Sequence, residues 1–296
     1  MSESDCRAKT IAIVGAGEMG AAVGQRLRES GAHPITTLKG RGAASVERVR
    51  DAKLEVVDDD DTLVAESALI LSIVPPGEAV GVAERFREPL TRAALKPIFV
   101  DCNAVSPATV RRIADSLAPT RCGFIDAGII GGPPRPGGKG AGPRFYASGD
   151  DADELTRLRG FGLDIAVVEG GIGAASALKM SYAGLTKGLI AVGAAMIGAA
   201  SRAGLAPALR EELARSHPQM LAILTARIPA MYSKAYRWVS EMEQIADFLG
   251  GDETGGKIYI GVARLYEQLA ADFEQSRDTA ESIAALNSFC RGTLKR

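Results

Sequence analysis

The sequence predicts an α/β domain with a mainly parallel sheet, followed by an all-α domain. In the first half, short β-branched runs alternate with helical segments, which is typical of βαβ units. Beyond the glycine-rich segment 170–173 no segment has the pattern of a strand, and glycine is absent between Gly204 and Gly250. Because glycines permit a change of chain direction, we divide the chain into residues 1–172 and 173–296.

Eight short apolar runs bounded by turn residues are predicted to be strands. They are Thr10–Val14, Pro34–Leu38, Leu54–Val57, Ala68–Val74, Pro97–Asp101, Gly123–Ile130, Arg144–Ala147 and Asp164–Val168. The segment Gly131–Pro143 is too rich in glycine and proline to be helical, and at about 13 residues it is long enough to suggest a functional loop. In the second domain, Ala174–Arg202 is predicted to be one long helix. Its apolar run Leu189–Ala200 is shorter than the roughly 20 residues that a bilayer requires, so we interpret it as a buried core helix.

Composition favours an intracellular protein with a small-molecule ligand. The 296 residues contain 35 Lys and Arg against 36 Asp and Glu, so there is no basic excess of the kind that binds nucleic acid or anionic membrane. Cys6, Cys102, Cys122 and Cys290 form no Cys-x-x-Cys pair and no zinc spacing. The first residues are polar and lack the apolar stretch of a secretory signal. We expect a cytoplasmic protein with reduced thiols, no metal and no membrane or nucleic-acid partner.

The first predicted strand leads directly into a glycine-rich turn and then into a helical pattern. In a dinucleotide-binding domain, the first glycine permits a tight turn, the second lets the backbone approach the pyrophosphate, and the third permits close packing. The predicted cofactor contacts in this turn are Gly15, Ala16, Gly17, Glu18, Met19 and Gly20. The predicted fold class is therefore an α/β Rossmann N-terminal domain with an all-α C-terminal domain.

The segment after the second strand indicates which dinucleotide is bound. NAD-binding domains commonly place an acidic residue there to accept a hydrogen bond from the ribose 2′-hydroxyl, but this chain has Leu38-Lys39-Gly40-Arg41. Because Lys39 or Arg41 can hold a 2′-phosphate by charge-assisted hydrogen bonds, we predict NADP(H) in preference to NAD(H). The alternative is that both cations are solvated and NAD(H) is used. Val74 and Pro75 are predicted to form an open turn beside the cofactor.

Four segments resemble the β-hydroxyacid dehydrogenase family, which includes 3-hydroxyisobutyrate and 6-phosphogluconate dehydrogenases. They follow the family's order and are Gly15–Gly20, Asp101-Cys-Asn-Ala-Val-Ser-Pro107, Asp126-Ala-Gly-Ile-Ile-Gly-Gly132 and Gly171-Ile-Gly-Ala-Ala-Ser-Ala-Leu-Lys179. The last third resembles the divergent helical domain of phosphogluconate dehydrogenase-like proteins, most distinctively in residues 234–242. The resemblance implies hydride transfer between a nicotinamide and a small hydroxyacid or sugar acid.

The resemblance implies that Lys179 is the general acid/base. A partly desolvated ammonium near another cation can exchange protons at working pH. The asparagine that the family has one turn later is replaced here by Ala183. Helical spacing places Tyr182 and Thr186 on the same face as Lys179, so we predict that Tyr182 is catalytic and that Thr186 binds substrate. Either hydroxyl can equally belong to core packing.

The resemblance also implies that Asn103 lies beside cofactor and substrate. Ile130 stands where relatives often have a serine that holds the substrate carboxylate. Gly131 and Gly132 remain, and we predict that their amides bind that carboxylate.

Two residues of the helical domain are further substrate-binding candidates. Arg237 can bind an anion in bidentate fashion, and Trp238, the only tryptophan, can form a wall of the active cleft. Arg237 with Glu241 can also be a surface ion pair, and a tryptophan is more often part of a core.

The sequence thus predicts an NADP(H)-dependent dehydrogenase or reductase that acts on the CH–OH group of a small carboxylate. A homodimer is expected because the long helix of small residues offers apolar surface to a second subunit. Two alternatives remain open. An imine reductase is favoured by Tyr182 and the missing asparagine but disfavoured by Lys179, and a non-catalytic dinucleotide sensor is compatible with the glycine turn.

Overall fold

The computed structural model describes residues 7–138, 142–276 and 280–292, so the expectation for Cys6 lies outside the described residues. The chain forms two compact units, Met1–Met180 and Ser181–Arg296. The division falls inside one continuous helix, Ala174–Arg202. The domain boundary expected between residues 172 and 173 remains a prediction.

An eight-stranded sheet forms the centre of the first unit, in the order β3-β2-β1-β4-β5-β6-β7-β8. The strands are β1 (Thr10–Val14), β2 (His33–Thr36), β3 (Glu55–Val56), β4 (Leu69–Ser72), β5 (Ile98–Asp101), β6 (Gly123–Ile130), β7 (Arg144–Ser148) and β8 (Asp164–Val167). The first six are parallel, β7 is antiparallel to β6, and β8 is parallel to β7. The predicted Rossmann-type sheet is confirmed, with small differences at the strand ends.

Helices cover both faces of this sheet. They are α1 (Glu18–Glu29), α2 (Ala43–Ala52), α3 (Asp60–Glu66), α4 (Ala79–Arg92) and α5 (Pro107–Leu117). Along β1, Ala12 and Val14 belong to the buried cluster that contains residues of α3, α4 and α5, whereas Ile11 and Ile13 belong to the cluster that contains residues of α1. Burial on both faces explains why the central strands β1 and β4 are nearly continuous apolar runs and do not alternate with polar residues.

The second unit is helical. Its helices are the continuation of α6 (Ala174–Arg202), then α7 (Ala206–Ser216), α8 (Pro218–Met231), α9 (Ala235–Phe248), α10 (Thr254–Ser276) and α11 (Glu281–Arg291). The described residues after β8 contain no strand. The predicted all-α C-terminal half and the bounds of the long helix are thereby confirmed.

Among the described residues, one helix, α6, is long and apolar enough to cross a membrane by length and composition alone. An 18-residue window of this helix has a mean hydropathy of 1.5, and 44% of that window is buried. A core helix of a water-soluble protein meets the same criteria. The interpretation of Leu189–Ala200 as a buried helix is wrong for one face, which has exposed apolar side chains at spacings of three and four. We call this face the apolar stripe, and its members are Leu178, Tyr182, Leu185, Leu189, Val192 and Met196.

Candidate active site

The glycine turn connects β1 to α1 at the carboxyl edge of the sheet. Gly15 has φ +98°, and a Cβ there would lie 2.3 Å from the carbonyl oxygen of Ile73. A Cβ on Gly20 would lie 2.1 Å from the carbonyl oxygen of Gly15, whereas no atom lies within 4 Å of the corresponding position on Gly17. The first and third glycines are therefore required by packing, and the second leaves the backbone open to a ligand.

The N-terminus of α1 fits an anionic group. Gly17 is the N-cap residue and supplies no side-chain cap, and the first amide groups of a helix have no carbonyl partner within that helix. Such a terminus, preceded by an open glycine, fits the pyrophosphate of a dinucleotide. Of the other residues predicted to contact the cofactor, Ala16 is buried, Glu18 is exposed, and Met19 packs against the apolar cluster beneath the sheet.

The loop after β2 contains both predicted 2′-phosphate ligands. Lys39 is exposed. The side chain of Arg41 is only 22% exposed, and its Nη1 lies 3.5 Å from a carboxylate oxygen of Glu78, whose side chain is 54% exposed. Glu78 follows β4 in a short turn that begins after Pro75. Sequence reasoning missed Glu78, because the two loops are far apart in the chain.

The side chain of Asn103 forms hydrogen bonds that connect the ends of β4 and β5. Its Oδ1 accepts from the amide of Val74 at 2.7 Å, and its Nδ2 donates to Ser72 Oγ at 3.1 Å and to Asp101 at 2.9 Å. The side chain is buried, so the structure gives Asn103 a positioning role for the turn that holds Val74 and the exposed Pro75. Direct contact of Asn103, Val74 or Pro75 with a ligand remains a prediction.

Asp101 is a buried acid beside this network. Burial raises the pKa of its carboxyl group to about 7, the hydrogen bonds from Asn103 oppose that rise, and the negative charge of Asp126 adds to it. Asp101 and Asp126 are register partners on the neighbouring strands β5 and β6. Near neutral pH, a large share of the Asp101 carboxyl groups therefore carries a proton.

Asp126 fixes the start of α6 against β6. Its carboxylate accepts from the amides of Gly173 at 2.8 Å and Ser176 at 3.1 Å, from Ser176 Oγ at 2.7 Å and from Ser148 Oγ at 3.0 Å. Its relative exposure is 0%. Sequence reasoning gave Asp126 no role of its own, although a lone carboxylate in an apolar strand is a signal of buried hydrogen bonding.

Lys179 lies in the second turn of α6, after this anchored start, and it is partly exposed. Gly128, inside β6, permits the close approach of α6. A Cβ on Gly128 would lie 3.0 Å from both the carbonyl oxygen of Ala175 and Cβ of Lys179. Gly128 is a second residue that sequence reasoning missed, although a glycine inside a strand often marks a close backbone approach.

The loop after β6 begins with the two predicted carboxylate-binding glycines. Gly131 has φ +124°, and a Cβ there would lie 2.9 Å from Cα of Pro143. Gly132 has no neighbouring atom within 4 Å of a Cβ position, and both residues are exposed. A ligand can therefore approach their backbone, and the carboxylate contact itself remains a prediction.

In the second unit, Tyr182 is 49% exposed on the apolar stripe. Thr186 Oγ1 donates to the carbonyl oxygen of Tyr182 at 2.8 Å, within the same helix. Ala183, which stands in place of the family's asparagine, is buried. The roles predicted for Tyr182 and Thr186 remain predictions.

A buried ion pair between Lys187 and Glu241 organises α6, α9 and α10 within this unit. Lys187 Nζ lies 4.9 Å from the ring centroid of Trp238, which packs edge-on against Tyr266 at 5.2 Å. Tyr266 Oη donates to the carbonyl oxygen of Lys187 at 2.6 Å. Sequence reasoning missed this cluster, because Lys187 and Glu241 are distant in the chain.

The interpretation of Glu241 as a surface partner of Arg237 is wrong in one respect, since Glu241 is buried. Arg237 is exposed, and its guanidinium lies 5.6 Å from the ring centroid of Tyr236. Trp238 belongs to the packed cluster around Lys187. Substrate contact by Arg237 and Trp238 remains a prediction.

The thiols of Cys102, Cys122 and Cys290 are free. Within the described ranges, no group of three or more His, Cys, Asp or Glu side chains is placed to hold a metal ion.

The sheet and the glycine turn define a dinucleotide-binding fold. A family profile described as the NAD-binding domain of 6-phosphogluconate dehydrogenase matches residues 10–159, which is half of the chain. A second profile, described as a domain of unknown function (DUF1932), matches residues 200–269. The chain belongs to the β-hydroxyacid dehydrogenase family.

Two relatives are each 27% identical to this chain. An uncharacterized 28.5 kDa protein of Methanothermus fervidus matches over 240 residues, 81% of this chain and 90% of that protein. The 3-hydroxyisobutyrate dehydrogenase of Pseudomonas aeruginosa matches over 150 residues, 50% of this chain and 49% of that protein.

Three solved structures have a similar fold. A conserved protein of unknown function, described as structurally similar to 3-hydroxyacid dehydrogenases, is 30% identical with a TM-score of 0.67, covering 88% of this chain and 97% of its own. The 3-hydroxyisobutyrate dehydrogenase of Mycobacterium tuberculosis with L-serine has 19% identity and a TM-score of 0.70, covering 96% and 99%. An imine reductase of Myxococcus stipitatus with NADP⁺ has 18% identity and a TM-score of 0.54, covering 95% and 100%. The last two show the fold alone.

Proposed function

We propose that this protein is an NADP(H)-dependent oxidoreductase that interconverts the alcohol and carbonyl forms of a small hydroxyacid or sugar acid. The observation that carries the proposal is the anchoring of the α6 start by Asp126. This anchor fixes the helix that carries Lys179 to β6, in the unit that also contains the open glycine turn. A dinucleotide turn and a positioned proton donor are the two components that such a reaction requires.

In this mechanism the bound nicotinamide supplies or accepts the hydride. The ammonium group of Lys179 donates a proton to the substrate's carbonyl oxygen during reduction, and its amine form accepts the alcohol proton during oxidation. The amides of Gly131 and Gly132 bind the substrate carboxylate and thereby orient the reacting carbon. Tyr182 and Thr186 are proposed to supply the hydrogen bond of the missing asparagine, and Arg237 and Trp238 to contact the substrate.

A panel of hydroxyacids, sugar acids, ketones and cyclic imines, assayed with both nicotinamide cofactors, tests the reaction class. We expect oxidation of a hydroxyacid or sugar acid with NADP⁺. The likeness to an imine reductase and the presence of Tyr182 support imine reduction as a second candidate. Turnover of cyclic imines alone would establish that candidate, and tight cofactor binding without any turnover would indicate a sensor.

Arg41→Ala is expected to weaken NADP⁺ binding about tenfold or more, because a hydrogen bond to a charged group contributes about 1.5–3 kcal/mol. NAD⁺ has no 2′-phosphate, so its dissociation constant should stay unchanged. Titration calorimetry with both cofactors measures the two constants. Arg50→Ala, which removes an exposed cation from α2, is the matched control. An unaltered NADP⁺ constant in the Arg41 variant would refute the proposed cofactor preference.

We propose that two copies of the chain associate through the apolar stripe of α6. The stripe covers 19 residues from Leu178 to Met196, about 27 Å of helix at 1.5 Å per residue, and all six of its members are apolar or aromatic. A two-fold axis would place the part of the stripe from Leu185 to Met196 against its own copy, which buries the same residues on both subunits and leaves Tyr182 to the active site of each. The free thiols of Cys102, Cys122 and Cys290 support a cytoplasmic location for such a dimer.

Leu185→Asp is expected to shift the protein from dimer to monomer, because this side chain is 77% exposed at the middle of the stripe and a buried unpaired carboxylate is costly. Light scattering after size exclusion measures the mass. Leu95→Asp places the same charge on a 63% exposed leucine outside the stripe and should leave the mass unchanged. A monomeric unmodified protein, or a dimeric Leu185 variant, would contradict this interface.

A further inference from the structure

The contact between Arg41 and Glu78 joins two loops that flank the glycine turn. Arg41 lies between β2 and α2, and Glu78 lies between β4 and α4. In the sheet, β2 and β4 are the two neighbours of β1, and all three strands run parallel. Both loops therefore leave the carboxyl edge on either side of the turn, at the position where open α/β sheets bind ligands.

The two partners of this contact differ in their exposure to water. The Arg41 side chain is 22% exposed and that of Glu78 is 54% exposed, and Arg41 Nη1 lies 3.5 Å from a carboxylate oxygen of Glu78. Ion pairs with a solvent-exposed partner contribute little net stability. A phosphate dianion, by contrast, offers a guanidinium two parallel charge-assisted hydrogen bonds. Arg41 therefore has a weak partner in Glu78 that a phosphate can displace.

Other acids near these loops have separate partners. Asp60 binds Arg85 at 3.1 Å, and Asp59 accepts from the amide of Thr62 at 2.8 Å as the N-cap of α3. Among the described residues, the Glu78 carboxylate lies within ion-pair distance of Arg41. Its position is held by the turn that contains Pro75 and Pro76, whose φ angles proline restricts.

Resting on the proposed NADP(H) function, we propose that Glu78 sets the cofactor preference by competing with the 2′-phosphate for Arg41. When an NADP-type ligand binds, Arg41 exchanges the carboxylate for the phosphate, and the displaced carboxylate remains close enough to repel the dianion. When an NAD-type ligand binds, the ion pair stays intact. Glu78 thus reduces the discrimination between the two cofactors and makes the site more tolerant of NAD(H).

Glu78→Gln tests this competition without any catalytic assay. The probes are adenosine 2′,5′-bisphosphate and 5′-AMP, which differ only in the 2′-phosphate, and titration calorimetry measures both dissociation constants. We expect the variant to bind the bisphosphate about three- to tenfold more tightly, because the substitution removes a negative charge near the phosphate and a weak competitor for Arg41. Binding of 5′-AMP should change by less than about twofold, since it lacks the group that the carboxylate repels.

The double variant Arg41→Ala with Glu78→Gln separates the competition from general repulsion. If the two side chains act on one phosphate, most of the gain from Glu78→Gln disappears when Arg41 is absent. Glu88→Gln is the matched control, because it also replaces one glutamate by glutamine. Glu88 forms an exposed ion pair with Arg92 on α4, about 15 Å from Glu78 along the helix axis. We expect no change for either probe in that control.

An unchanged or weaker affinity of Glu78→Gln for the bisphosphate would overturn the role of Glu78. Full retention of the gain in the double variant would also overturn it, since competition for Arg41 would then be absent. If Arg41→Ala alone leaves bisphosphate binding unchanged, the proposed cofactor preference fails instead. The two failures are therefore distinguishable within one set of titrations.

Discussion

Lys179→Ala is expected to lower kcat about 10²–10⁴-fold, the usual contribution of a positioned general acid/base. The dissociation constant of the cofactor and the melting temperature should stay close to those of the unmodified protein. The side chain is partly exposed, so its removal leaves no large buried cavity. Steady-state kinetics with the substrate found in the panel, together with calorimetry for the cofactor, measures both quantities.

Lys179→Arg is the matched variant, because it keeps the positive charge but stays protonated at all working pH values. If Lys179 transfers a proton, the arginine variant should retain much of the substrate affinity and lose most of kcat. A fully active arginine variant would reduce the role of Lys179 to electrostatic binding. An alanine variant with unaltered kcat would remove Lys179 from the mechanism altogether.

Asp126→Ala is expected to lower the free energy of unfolding by about 3 kcal/mol or more, because it leaves buried donors without their charged acceptor. Those donors are the amides of Gly173 and Ser176 and the hydroxyl groups of Ser148 and Ser176. Urea unfolding followed by circular dichroism measures the change. Tryptophan fluorescence does not suit this purpose, because Trp238 lies in the other unit.

The control for this prediction is Asp59→Ala, which makes the same chemical change at an exposed helix N-cap. Loss of such a cap costs about 1 kcal/mol. Equal losses in the two variants would show that the buried carboxylate does not hold the start of α6. In that case the positioning of Lys179 would need another explanation.

Local sequence patterns were enough to predict the α/β and all-α halves and the class of ligand. Strands buried on both faces favour continuous apolar runs, so β1 and β4 could be found from local pattern alone. The bounds of α6 followed from a long stretch that is rich in Ala, Leu, Met and Ile and contains no proline. Gly15 and Gly20 were identified from the spacing of the glycine motif. The contact that excludes a side chain from Gly20 is with the nearby backbone of Gly15, whereas the one at Gly15 is with the carbonyl oxygen of Ile73, which follows β4.

Only the packing of the chain shows which polar side chains meet. Asp126 reaches Ser176, Asn103 reaches Val74, and Glu78 reaches Arg41, and each contact depends on which strands are neighbours. The antiparallel direction of β7 likewise does not follow from local pattern. Residue spacing fixes the face of a helix or strand on which a side chain lies, but the order of the strands and the packing of the helices fix what that face touches.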